Sequence, residues 1–260
     1  MRRYFLACIL VLQSLSVPAQ DLSDKTLDSA RLLAKQGRYG QLVDILPPLL
    51  SFSALNVEDR AQALLLLAAG YQVLGRFSES HGMLDQSLSL LRDNPRYLGK
   101  YADALTNLSV LYRDTGDQDA MKRTAVKALE LFEHANDHVG LQTVYVVLAQ
   151  DSVNHRKSRD AEHYLTEAMR ELAQLKRRED VNRIAIVDLK GAIALLEDHP
   201  VLAVADYQQS LEMRIRVKGR RHPETGWGYM LLGKANLRAG DAQIALTNMS
   251  RGLAILASTD

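Results

Sequence analysis

Cysteine is nearly missing from this chain: Cys8 is the single one in 260 residues, so no disulfide framework can be built. Proline and glycine are sparse, at six and 15 residues, and no stretch reads as a long flexible linker. One continuous folded unit is therefore expected. The apolar run at the N-terminus, Tyr4 to Leu12, is about half of the roughly 20 residues that a membrane-spanning helix requires, so no membrane span is expected. Neither sign of charge dominates, the formal net charge being +1. General nucleic-acid binding draws its affinity from basic residues that neutralise phosphates, and this balance argues against it. What is present is ordinary globular material, 47% apolar and 24% charged.

The first residues have the order of a secretory signal. Arg2 and Arg3 precede the short apolar run, a more polar stretch follows from Gln13 to Ser16, and Val17, Pro18 and Ala19 supply small residues for a cut. Cleavage is expected between Ala19 and Gln20, giving a leader over 1–19 and a mature domain over 20–260 in the periplasm or beyond. Removing Arg2 and Arg3 takes the charge from +1 to −1. Cys8 leaves with the leader; Phe5, Leu6, Ala7 and Cys8 faintly resemble a lipoprotein box, but almost no apolar region would stand ahead of the cysteine.

The rest of the chain repeats. In the segment from Tyr101 to Phe132, Ala104, Leu105, Leu108, Leu111 and Tyr112 recur at helical spacing, then come Thr115, Gly116 and Asp117, then Ala120, Met121, Ala125, Ala128, Leu129 and Phe132. Spacings of three and four place each set on one helix face. Gly116 tolerates left-handed backbone angles and ends the first helix, and Asp117 can cap the second. The unit is a helical hairpin. The same plan surrounds turns at Gly37, Gly75, Arg156 to Ser158, Asp198 to Pro200, and Gly240, roughly 38 to 42 residues apart, inside the range of helical-hairpin solenoids. Six repeats are expected, over about 22–56, 59–97, 100–138, 140–179, 181–220 and 224–258.

This pattern resembles the tetratricopeptide repeat. The residues that carry the likeness are Ala30, Ala68, Ser109, Ala149, Gly191 and Gly233 at the small position of the first helices, and Ala161, Ala203 and Ala245 on the second. The long period and the stretch from Leu211 to Glu224 look most like the kinesin-light-chain variety. The departures are Pro47 and Pro48 in the second helix of the first repeat and the missing turn glycine of the fourth and fifth. The resemblance implies an all-α, right-handed superhelical solenoid whose first helices line a concave face that binds proteins or peptides.

Polar and aromatic residues left on the first helices, once the stacking positions are set aside, are the candidate binding surface: Arg31, Lys35, Gln72, Asp103, Asn107, Arg113, Gln150, Asn154, Asp188, Trp227, Lys234 and Arg238. By resemblance, Asn107 stands where many relatives hydrogen-bond a peptide backbone. Met230 adds apolar area beside Trp227, and the lysine-and-asparagine clamp that some relatives use for a C-terminal carboxylate is not reproduced.

Catalytic chemistry finds no positive motif. Residues Gly228 to Ala235 nearly spell a phosphate loop, yet Ala235 replaces the hydroxyl that would ligate magnesium, and the segment reads as helix interior. His134 and His138 have the spacing that can place two imidazoles on one helix face, but no third ligand is identifiable, and a helix terminus with two exposed histidines is expected there. No cofactor or metal is expected. Two basic clusters, Lys176 to Arg178 and Arg214 to Arg221, fall at repeat junctions, where charges are normally solvated. The expected partner is a protein or peptide. The alternative is a structural subunit of an envelope or secretion assembly that self-associates through the C-terminal hairpin, because no polar helix follows to cap the array.

Overall fold

Six turns organise the chain, and each contains one residue in the left-handed region. These are Gly37 (φ 73°), Gly75 (71°), Gly116 (85°), Arg156 (57°), Asp198 (61°) and Gly240 (93°). The fourth and fifth turns thus keep the geometry although they lack the glycine that tolerates it without strain. The computed structural model describes residues 19–175 and 180–258, and the expected leader lies outside them but for Ala19. The hairpins on either side of these turns pair α1 (Ala19–Lys35) with α2 (Tyr39–Leu50), α3 (Val57–Val73) with α4 (Phe77–Leu91), and α5 (Leu98–Thr115) with α6 (Gln118–Ala135). They continue with α7 (His138–Asn154) and α8 (Ser158–Gln174), α9 (Asp180–Leu196) and α10 (Pro200–Lys218), and α11 (Pro223–Arg238) and α12 (Ala242–Leu256). No strand occurs among the described residues. The fold is an all-α solenoid of helical hairpins.

Capping residues set where the helices begin. Asn56 accepts from the Asp59 N–H at 2.8 Å, Asp117 from the Ala120 N–H at 3.0 Å, and Asp137 from both Val139 and Gly140. Pro47 and Pro48 sit in the last turn of α2, which continues through them to Leu50.

Small residues determine how closely the hairpins close. Ala30, Ala68, Ser109 and Ala149 are fully buried on the first helices, as are Ala161 and Ala203 on the second, with Ala245 nearly so. A methyl group placed on Gly191 would touch the Tyr207 ring at 3.0 Å, and one on Gly233 would lie 2.6 Å from Met249 Cγ. In α4 the matching place is held by Ser80, whose hydroxyl is satisfied by the Ala68 carbonyl at 2.9 Å. Apolar side chains of successive hairpins fill the space between layers: Leu42, Leu46 and Leu67, then Leu84, Leu108, Phe132 and Val144, then Ala161, Leu165 and Ile193, then Tyr207, Leu211 and Tyr229. Each layer is buried only by its neighbours, as a solenoid requires.

The first helices of hairpins one to five also touch one another directly, α1 to α3, α3 to α5, α5 to α7 and α7 to α9, and the second helices make no comparable contacts. The layer with the closer spacing is the inside of the curve. The curve then returns on itself. Gly37, in the first turn, packs against Pro223 at the start of α11, where a Cβ on Gly37 would lie 2.5 Å from Pro223 Cδ. The first and sixth hairpins thus meet across a seam.

The helix terminus expected at His134 and His138 is present, because Asn136 adopts φ 53° and ends α6 between them; the exposure expected of His138 and of Arg214 is corrected. His134 stays exposed in the last turn of α6, and His138 opens α7 with Nδ1 2.7 Å from the buried Glu171 carboxylate. Arg214 is not a solvated junction charge: it is buried, and both guanidinium Nη atoms bond Asp188, with Nη1 also on Ser210 at 2.9 Å. The Lys176 to Arg178 cluster lies outside the described residues.

Candidate functional site

A central first helix has its hairpin partner on one side and the neighbouring hairpins on two others, so only a narrow stripe is left open. On α5 that stripe is Asp103, Asn107, Val110 and Asp114; on α7 it is Val139, Thr143, Val146, Gln150 and Asn154. On α11 it is Trp227, Leu231, Lys234 and Arg238. The spacing of three and four marks a single helix face in each case. Together these stripes form the inner face of the curve.

The stripes hold most of the residues singled out from the sequence, and their hydrogen bonds divide them. Several stitch one hairpin to the next. Arg31 donates to Gln62 at 2.7 Å, Gln72 to Asp114 at 2.6 Å, and Arg238 to Asp198 at 2.7 Å. Gln118 to Asp151 and Ser158 to Glu197 continue the series, although the sequence reading did not single out these four residues. Arg113 is held by its neighbour Asp114 at 2.8 Å, and Gln150 donates to Asn154 at 3.1 Å. Asp188 is engaged by Arg214 and is therefore part of the packing of the fifth hairpin.

Asp103, Asn107, Lys234 and Lys35 differ: their side chains make no hydrogen bond or ion pair among the described residues. Asn107 is half-buried at the middle of the α5 stripe with two donors and an acceptor turned to solvent. Asp103 is open to water, yet it is surrounded by the walls of the curve. Burial pushes its carboxyl above the usual range, the charge of Asp137 adds to the rise, and Lys100 opposes it. The centre of the inner face thus combines unpaired polar groups with reduced solvation, the condition under which a hydrogen bond to a ligand is strongest. Val110 and Val146 supply flanking apolar area. Sequence reasoning missed these two and Thr143, although counting three and four residues onward from Asn107 and Val139 finds them.

Trp227 and Lys35 belong to the seam. Trp227 is 58% exposed and, with Tyr39, Val73, Leu74 and Leu256, lines a cavity of about 560 Å3 where the first, second and sixth hairpins meet. Met230 packs against Gly252. The near phosphate loop, Gly228 to Ala235, is interior to α11 with its backbone amides committed to the helix. No group of three or more His, Cys, Asp or Glu residues is positioned for a metal ion among the described residues. No helix among them is long and apolar enough to cross a membrane.

No family profile matches the sequence, and no curated protein sequence matches it. Solved structures do match in fold. A Rap protein complexed with Competence and Sporulation Factor aligns with a TM-score of 0.74 at 14% identity, over 95% of this chain and 68% of that one. NprR in complex with its cognate peptide NprX aligns at 0.70 and 12%, over 97% and 72%. A protein of Podosopora anserina with nearly identical kinesin-light-chain TPR-like repeats aligns at 0.53 and 18%, over 79% and 98%. At these identities the likeness is one of fold: the chain is a tetratricopeptide-like solenoid.

Proposed function

We propose that this chain is an exported, non-catalytic scaffold that binds a protein or peptide along the inner face of its solenoid. The carrying observation is the centre of the α5 stripe, where Asp103 and Asn107 present unpaired polar groups in a partly desolvated concave wall. An extended peptide offers a backbone N–H and C=O at each residue, and the Asn107 amide can meet both at once. Val110 and Val146 flank it for apolar side chains. The peptide held by NprR supports the reading by analogy of fold. Export rests on the leader pattern of residues 1–19. N-terminal sequencing of the chain recovered from a periplasmic fraction should begin at Gln20, and recovery of the uncut chain in the cytoplasm rejects export.

The groove is tested by selecting binders from a displayed random peptide library and measuring their affinity for Asn107→Ala, Arg113→Ala and Lys234→Ala. Loss of the Asn107 hydrogen bonds to a buried backbone should weaken binding by about 1–3 kcal/mol. Binding unchanged in all three variants rejects the groove.

A second reading is favoured by the last helix, where Ile244, Leu246 and Leu253 are 53%, 61% and 57% exposed. That end could join a neighbouring subunit of an envelope or secretion assembly. Light scattering that shows a strict monomer over a wide concentration range rejects self-assembly.

A further inference from the structure

The seam carries unbalanced charge. At the end of α1, Leu32, Lys35 and Gln36 face the loop from Val217 to His222 across an open cleft of about 680 Å3. Four of the lining residues are Lys35, Lys218, Arg220 and Arg221, and none is acidic. Lys218 is neutralised by Glu224 at 2.8 Å. Lys35, Arg220 and Arg221 have no acidic partner among the described residues. Positive charge therefore faces positive charge across the contact that closes the curve, and a concave wall focuses that field.

The loop that presents the arginines is held in place. Gly219 takes φ +96° and its carbonyl accepts from the Thr225 hydroxyl at 2.8 Å, while His222 Nδ1 accepts from the Glu224 N–H at 3.1 Å. The N-terminal end of α11 adds the positive end of a helix dipole. His222 is only 5% exposed, and its Nε2 has no hydrogen-bond partner among the described residues, although the Lys35 carbonyl lies near enough to favour its charged form.

We propose that this cleft binds an acidic peptide segment, whose carboxylates bridge Lys35 of the first hairpin to Arg220 and Arg221 ahead of the sixth and hold the seam closed. This deepens the scaffold reading and rests on it. A chain with carboxylates spaced along it matches cations spread over two elements, and Arg forks pair with carboxylates bidentately. Leu32, 54% exposed, and Val217 give its aliphatic stems a wall. The site is recessed between two elements, which suits a chain better than a flat membrane.

The test is fluorescence anisotropy of labelled hexaglutamate on the purified protein at low and high salt, with inorganic pyrophosphate and vesicles of phosphatidylglycerol in phosphatidylcholine as separate arms. Hexaglutamate should bind, more weakly as salt rises. Arg220→Ser with Arg221→Ser, and separately Lys35→Ser, should each weaken it about tenfold or more, and Lys122→Ser, a cation on α6, should leave it unchanged. Binding should also slow hydrogen exchange at the Thr225 and Gly226 amides. Failure of hexaglutamate to bind, equal binding by the seam variants, or binding of pyrophosphate or vesicles in its place overturns the proposal. Library peptides that depend on Asn107 without hexaglutamate binding reject the seam and leave the groove; the converse pattern rejects the groove alone.

Discussion

Replacing Gly37 by alanine isolates the seam, because the protein contains its own control. Gly37 and Gly75 occupy equivalent turns with φ 73° and 71°. An L side chain in that region costs about 1–2 kcal/mol, and this part should be the same at both positions. A Cβ at Gly75 meets nothing within 4 Å, whereas at Gly37 it lies 2.5 Å from Pro223 Cδ and 2.7 Å from Cγ. Carbon atoms in contact prefer about 3.5–4.0 Å, so the first and sixth hairpins must part by about 1 Å. Overpacking of this kind costs about 1–3 kcal/mol beyond the backbone term. Solenoids lose structure locally as well as globally, so native-state hydrogen exchange reports the effect better than a melting temperature. The Thr225 and Gly226 amides, both bonded to the His222 carbonyl, should exchange about 5 to 150 times faster in Gly37→Ala than in Gly75→Ala. Equal exchange in the two variants would refute the closed seam.

Arg156→Gly should stabilise the fourth hairpin by about 0.5–1 kcal/mol, since it removes a non-glycine residue from φ 57° at the price of a looser unfolded chain; urea unfolding measures it. Asp198→Gly should gain less, because it also removes the exposed pair with Arg238, worth about 0–1 kcal/mol. Asp188→Ala leaves the buried Arg214 without its counter-charge and should cost about 3–5 kcal/mol. Pairing Asp188→Leu with Arg214→Met should recover most of that in the same assay, and a double variant as unstable as the single one counts against the ion-pair account. Burial lowers the His222 pKa below its ordinary value of 6.5, with Lys218 adding to the fall, and Glu224 and the Lys35 carbonyl opposing it. Below pH about 6.5 the unfolded state therefore binds protons that the folded seam excludes, and stability falls as pH drops from there towards the folded pKa. Exchange at Thr225 and Gly226 should accelerate over that range, and His222→Asn, which keeps a capping oxygen, should abolish the dependence.

The array was legible because a solenoid writes its period into local chemistry. Ala30, Ala68, Ala149 and Gly233 are small where layers approach, and Asp117 caps α6, so each repeat could be read alone. What failed were inferences that needed the packed neighbourhood: His138, expected exposed, is half-buried against Glu171, and Arg214, expected solvated, is buried against Asp188. Arg156 and Asp198 keep the turn where glycine was missing, so the residue type understated the regularity of the fold. The return of the first turn to Pro223 was not legible at all. It depends on the small rotation between successive hairpins, summed over the array, and no short motif encodes that sum.

The inner face shows how far a repeat can be read before partners are needed. Gln72, Arg238 and Asn107 all stand clear of the stacking positions in the sequence, and only the resemblance sets Asn107 apart. Their difference lies in hydrogen bonds to the adjacent hairpin, and those have a regularity of their own: Gln72 to Asp114, Ser158 to Glu197 and Asp198 to Arg238 span 42, 39 and 40 residues. These three stitches carry the repeat period as their sequence offset, whereas Arg31 to Gln62 and Gln118 to Asp151 span 31 and 33 residues. The Asn107 and Lys234 side chains, in contrast, make no hydrogen bond or ion pair among the described residues, and Asp103 sits where the walls raise its pKa. A ligand bound there displaces only water, whereas one bound at Gln72 or Arg238 must first break a stitch worth about 0.5–1.5 kcal/mol. Affinity should therefore concentrate on the α5 stripe and on the unpaired cations of the seam, and substitutions at the stitching residues should act on the packing of neighbouring hairpins before they act on binding.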